Sequence, residues 1–108
     1  MELSQLTARA LQVNELFSAR ARAQGRRPWT REEVMQGFVG DVGDLMKIVM
    51  AKADLRPLPD ADPKLAHELS DCLWSVLVLA RLYEVDIERE FLATMRAIET
   101  QLTPPGSS

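Results

Sequence analysis

The 108-residue chain carries a single cysteine, Cys72, so it forms no internal disulfide, and a reducing compartment is expected. It has no basic excess: 13 Lys and Arg stand against 16 Asp and Glu, a net charge of −3. That balance argues against a general binder of nucleic-acid backbones. It has no long hydrophobic run. The longest nearly apolar stretch, Cys72 to Ala80, is too short to cross a bilayer. The first ten residues, MELSQLTARA, have an acid at position 2 and no apolar core, unlike a signal peptide. These absences predict a cytoplasmic protein that engages neither a membrane nor a nucleic-acid polymer. Repeats of solenoid period and low-complexity segments are missing, and strand signals are nearly absent.

Helical periodicity fills the space they leave. Residues 3–24 carry a stripe of Leu3, Leu6, Ala10, Leu11, Val13, Leu16 and Phe17, ending near Gly25. Thr30 opens TREE, with Glu33 three residues on. This capping-box pattern starts a second helix over about 31–52. The stretch DLRPLPDADP, 54–63, holds three prolines and predicts a loop. Asp62 as N-cap with Pro63 at the first helical position predicts a third helix, running to about Tyr83. Asp86 caps a fourth over about 87–102, and TPPGSS at 103–108 reads as a frayed tail. Four helices in one short chain predict a single all-α domain, a four-helix bundle. A core this small gains from subunit association.

The chemistry lies in two acidic pairs. GFVGDVGDLMK, 37–47, has glycines at 37, 40 and 43, and aspartates at 41 and 44. Residues three apart are neighbours on a helix surface, so Asp41 and Asp44 point into one region. Met35, Phe38, Val42, Leu45 and Val49 form the apolar face beside them. The glycines form a bare strip on the other flank, where a backbone or ligand can come close. The third helix repeats the spacing with Glu68 and Asp71, here among apolar residues. A carboxylate at the edge of a core needs a proton or a partner, and bases are too few to serve four acids. Two such pairs meeting across a helix interface would bind a hard cation, Mg²⁺ or Mn²⁺. The ordinary alternative is two solvated pairs.

With these residues the sequence resembles the MazG-like, all-α nucleoside triphosphate pyrophosphohydrolases. Their mark is E-x-x-E, a gap, then E-x-x-D. Here it is Asp41 and Asp44, a gap of 23 residues, then Glu68 and Asp71. VGDVGDL and HELSDCLWSVLVLARLYEVDIEREFLATM are similar to the dCTP pyrophosphatase branch. The resemblance covers about residues 29–95. It implies a helical bundle associating into a dimer or tetramer. It also implies that Asp41, Asp44, Glu68 and Asp71 bind Mg²⁺, which holds the triphosphate. Water then attacks the α-phosphorus, giving monophosphate and pyrophosphate. Two departures stand out. Both acids of the first pair are aspartate, one methylene short. The branch also carries a lysine and an asparagine on the last helix, where this chain has Thr94 and Ile98.

Other residues have a functional and an ordinary reading. Trp29 would stack on a nucleobase or staple the start of the second helix. Lys47 would contact phosphates or pair with Asp44. His67 is placed on a different face from Glu68. Arg20, Arg22, Arg26 and Arg27 read as a solvated group, or as a phosphate clamp from another subunit. Cys72 reads as a small buried apolar residue, and Trp74 as core or subunit interface. The expected activity is Mg²⁺-dependent hydrolysis of a (deoxy)nucleoside triphosphate. The alternative is a helical dimer of the same fold that binds a nucleotide or partner without turnover.

Overall fold

A computed structural model describes residues 1–53 and 58–106. The chain is all-α, with α1 Leu3–Ala23, α2 Arg31–Ala53, α3 Ala61–Leu82 and α4 Ile87–Leu102. No strand occurs among the described residues, and none of their helices is long and apolar enough to cross a membrane. Residues 54–57 of the expected proline loop, and 107–108 of the expected tail, lie outside the described residues.

Local chemistry sets most boundaries. α1 stops at Gly25, whose φ of +71° suits glycine, and the Arg26 N–H reaches back to the Ala21 carbonyl at 2.8 Å. This is the glycine-terminated helix end that satisfies orphan carbonyls. The capping box of α2 is reciprocal: Glu33 N–H donates to Thr30 Oγ1 at 3.2 Å, and Thr30 N–H donates to Glu33 Oε1 at 3.0 Å. Arg27 pairs with Glu33, and that hydrogen bond holds the Glu33 carboxyl down at about 2. α4 begins where Asp86 accepts a hydrogen bond from Arg89 N–H at 3.1 Å.

The start of α3 differs from the sequence expectation. Asp60, not Asp62, is the N-cap, in the left-handed conformation and without a side-chain cap. Pro63 falls in the first turn rather than at its first position, where its missing N–H is equally harmless. Asp62 instead pairs with Lys52 at the end of α2, which lowers its proton affinity.

That pair marks one end of the antiparallel α2–α3 interface, the largest in the chain. At the other end, the Arg31 guanidinium lies 4.8 Å over the Tyr83 ring. α1 packs on α3 from a second side, as the core reading of Trp74 requires. Trp74 Nε1 donates to the Ala10 carbonyl at 3.1 Å, and its ring meets Phe17 edge-on at 5.8 Å. The core is Ala10, Val34, Leu77 and Val78, with Leu3 and Ile87 against it.

α2 presents a different face from the one its apolar pattern suggested. Val34 and Ile48 are buried, and Asp41 and Leu45 half-buried, so this row faces α3. Met35, Val42 and Val49, expected to be inward, are 45%, 44% and 48% exposed. The cause is the length of the apolar surface: α2 carries apolar residues over more than half its circumference, and α3 covers only part. No residue of α4 is buried.

Candidate metal centre

The rotation of α2 carries its acids toward α3. Carboxylate oxygens of Asp41, Asp44 and Glu68 all lie within 4.8 Å of one another, bridging the two helices. A second group, also within 4.8 Å, joins His67, Glu68 and Asp71. Glu68 belongs to both groups, and the Asp71 charge also acts on Asp41 across the interface. Opposed oxygens around an octahedral Mg²⁺ are about 4.2 Å apart and adjacent ones about 3 Å. The spread therefore fits a hard cation after small side-chain adjustments.

One oxygen of the group lacks a protein partner. Glu68 Oε2 is buried and has no hydrogen-bond partner among the described residues. A buried carboxylate oxygen without a donor is costly unless it binds a proton or a cation. The proton affinities agree in direction. Burial, then the Asp71, Asp41 and Asp44 charges, push the Glu68 carboxyl up. Burial, then Asp71 and Asp44, push Asp41 up. Cys72 is raised too, by burial and then by Asp41, Glu68 and Asp71, which disfavours its thiolate.

Two neighbours depart from expectation. His67 does reach the group: its Nε2 is 3.1 Å from Asp71 Oδ2. The sequence signal was available, since residues 67 and 71 are i, i+4 neighbours. Lys47 is exposed, and among the described residues no ion pair joins it to Asp44. It stands one turn beyond Asp44 with its ammonium unclaimed by that acid.

Trp29 packs over Gly37: a Cβ built there would stand 2.8 Å from its Cζ3. Gly37, Asp41 and Asp44 share one helix face at i, i+4 and i+7, so the indole covers the turn preceding the acids. It also lines a cleft of about 550 Å³ with Asn14, Arg31, Val34 and Leu82. Trp29 is 59% exposed. Of the arginine group, Arg20 stacks on Phe17 at 5.3 Å, Arg22 faces Glu15 at 3.9 Å, and Arg27 is held by Glu33.

Compared with protein-family models, with curated proteins and with solved structures, the chain matches none.

Proposed function

We propose that this protein is a Mg²⁺-dependent nucleoside triphosphate pyrophosphohydrolase of the MazG-like type, acting as a homo-oligomer in the cytoplasm. The observation that carries the reading is the unpartnered, buried Glu68 oxygen where the acids of α2 and α3 converge. Asp41, Asp44, Glu68 and Asp71 would hold Mg²⁺, or Mn²⁺. When bound, the ion neutralises phosphate charge and lowers the pKa of water. The aspartates of the first pair are short, and the inward rotation of α2 compensates by carrying them toward Glu68.

The remaining roles belong to the chain's own side chains. Asp41 and Glu68 stand at the converging edge of the group, where one of them, or the water itself once metal-bound, would take the proton of the attacking water. Trp29 stacks a nucleobase one turn from the acids. Lys47, one turn past them on the same helix, is placed to meet a phosphate oxygen. A triphosphate lying along α2 from Trp29 toward Lys47 would cross the acid cluster.

One observation favours a second reading, binding without turnover. The positions where the resemblance implies lysine and asparagine are Thr94 and Ile98, and both are exposed on α4. Lys47 is the substitute the first reading needs. The test is a panel of nucleoside triphosphates with Mg²⁺, scored for pyrophosphate, with wild type and Glu68→Gln. We expect pyrophosphate from at least one deoxynucleoside triphosphate. Glu68→Gln should lower turnover by at least about 100-fold, or ~2.7 kcal/mol, with a melting temperature in chelator equal to or above wild type. No turnover with a retained metal-induced rise in melting temperature selects the binding reading. A variant that melts far lower in chelator overturns the metal site.

A further inference from the structure

Two apolar seams have no partner among the described residues, and they match each other. On α2, Met35, Val39, Val42, Met46 and Val49 follow the alternating 4, 3, 4, 3 spacing of a coiled-coil seam. They are 45%, 60%, 44%, 63% and 48% exposed. On α4, Phe91, Met95, Ile98 and Leu102 follow the same 4, 3, 4 spacing, and Phe91 and Leu102 are 56% and 76% exposed. At about 1.5 Å per residue the α2 seam is about 21 Å long and the α4 seam about 17 Å.

The surface area states how much must be covered. A compact monomer of 12.1 kDa exposes about 6,000 Å². This chain exposes 8,478 Å², an excess of roughly 2,400 Å². A standard interface buries about 800 Å² per partner, and obligate dimers bury more. The radius of gyration agrees: 17.8 Å, against about 13 Å for a compact domain of this size.

The α4 helix cannot cover its own α2 from where it leaves the fold. The turn after α3 is fixed by Val85 N–H donating to the Ala80 carbonyl at 2.7 Å and by the Asp86 cap. Ile87 is anchored against the core, and the turn lines a cleft with Leu3, Thr7 and Leu11 of α1. The helix therefore departs on the α1 side of α3, and α2 lies on another side.

We infer that the occupant of the α2 seam is α4 of a second copy, and that two copies exchange these helices reciprocally. A two-fold arrangement uses both seams of both chains and leaves neither exposed. A foreign partner would satisfy one seam and leave the other. This deepens the homo-oligomer reading above but is tested without metal or nucleotide, so the two fail separately.

The experiment measures mass by sedimentation at roughly 10–100 μM, well above the Kd of a stable dimer, and combines it with photo-cross-linking. The full chain should sediment at a multiple of two times 12.1 kDa. A benzophenone side chain at Leu102 should give a two-chain band whose linkage maps to α2 of the other chain. Phe91→Glu with Ile98→Glu should reduce the mass to one chain, and Val39→Glu should do the same from the α2 side. Because no α4 residue is buried within the protomer, the α4 variant should keep its α1–α3 helicity. A wild-type monomer, cross-links confined to one chain, or a dimer linked only α2 to α2 would each overturn the exchange. The cross-linking arm uses the otherwise wild-type surface, so it decides even where a variant fails to fold.

Discussion

Glycine inside a helix needs a reason, and α2 has three of them with two different environments. A Cβ at Gly40 would meet nothing within 4 Å. Alanine there should gain the full helix-propensity difference of about 1 kcal/mol. For a domain of this size that is a rise in melting temperature of about 4–8 °C. Gly37→Ala gains the same propensity, but its Cβ would stand 2.8 Å and 3.1 Å from two Trp29 ring carbons. Trp29 is already more than half exposed, so its ring would swing outward rather than force the backbone. Uncovering about 40 Å² of ring costs about 1 kcal/mol, which cancels the gain. The expected result is a clear rise for Gly40→Ala and almost none for Gly37→Ala, with a red-shifted tryptophan emission in the latter. Thermal unfolding by far-ultraviolet circular dichroism in chelator reads both. A fall in melting temperature for Gly40→Ala would refute this reasoning, because it would mean that a backbone or ligand sits on Gly40 in the assembled protein.

Three further outcomes follow from named groups. In chelator, lowering the pH from 7 toward the ordinary carboxylate range should raise the melting temperature. Asp41 and Glu68 have raised proton affinity in the fold, so the folded state takes up protons first and is stabilised as pH falls through their raised values toward the unfolded ones. The low-pKa acids Glu33 and Asp62 oppose this only below their ordinary values of 4.5 and 3.8. A His67→Gln background with a Mg²⁺ control isolates the carboxylates, and saturating Mg²⁺ should abolish the trend. Thr30→Ala should cost about 1 kcal/mol by removing the α2 cap, read as a lower denaturant midpoint with unchanged slope. Glu84→Gly should stabilise by about 0.5–1 kcal/mol, because Glu84 holds a φ of +57° at the end of α3; equal midpoints would show that its side chain makes a compensating contact.

Much of the fold was legible because helix boundaries are local chemistry. The Thr30–Glu33 box, Gly25 and Asp86 each act through hydrogen bonds spanning a few residues, and the sequence shows all the partners. The start of α3 was misplaced because Asp60 adopts a left-handed conformation that its residue type permits but does not announce. Asp62 was misread as a cap because its partner, Lys52, lies across the interhelical loop. The acid spacing was equally legible, and the structure brings Asp41, Asp44 and Glu68 together. The rotation of α2 was not legible. Its pattern carries two adjacent apolar rows, Val34–Leu45–Ile48 and Met35–Val42–Val49, and only the packing of α3 chooses between them.

That choice links the site to the assembly. Had the Met35–Val42–Val49 row faced α3, Asp41 would have stood at the solvent edge and the seam would have been buried in the protomer. The observed orientation instead places Asp41 against Glu68, where burial and like charge both raise the cost of ionisation, and leaves five apolar side chains in water. Neither consequence favours this orientation in an isolated, metal-free chain. Both reverse if a cation lies among the carboxylates and a second copy covers the seam. A ligand that binds one orientation more tightly shifts the equilibrium by its differential affinity. Metal binding and association would therefore favour the same rotation of α2 and reinforce each other, with the glycines 40 and 43 exposing no side chain that resists it.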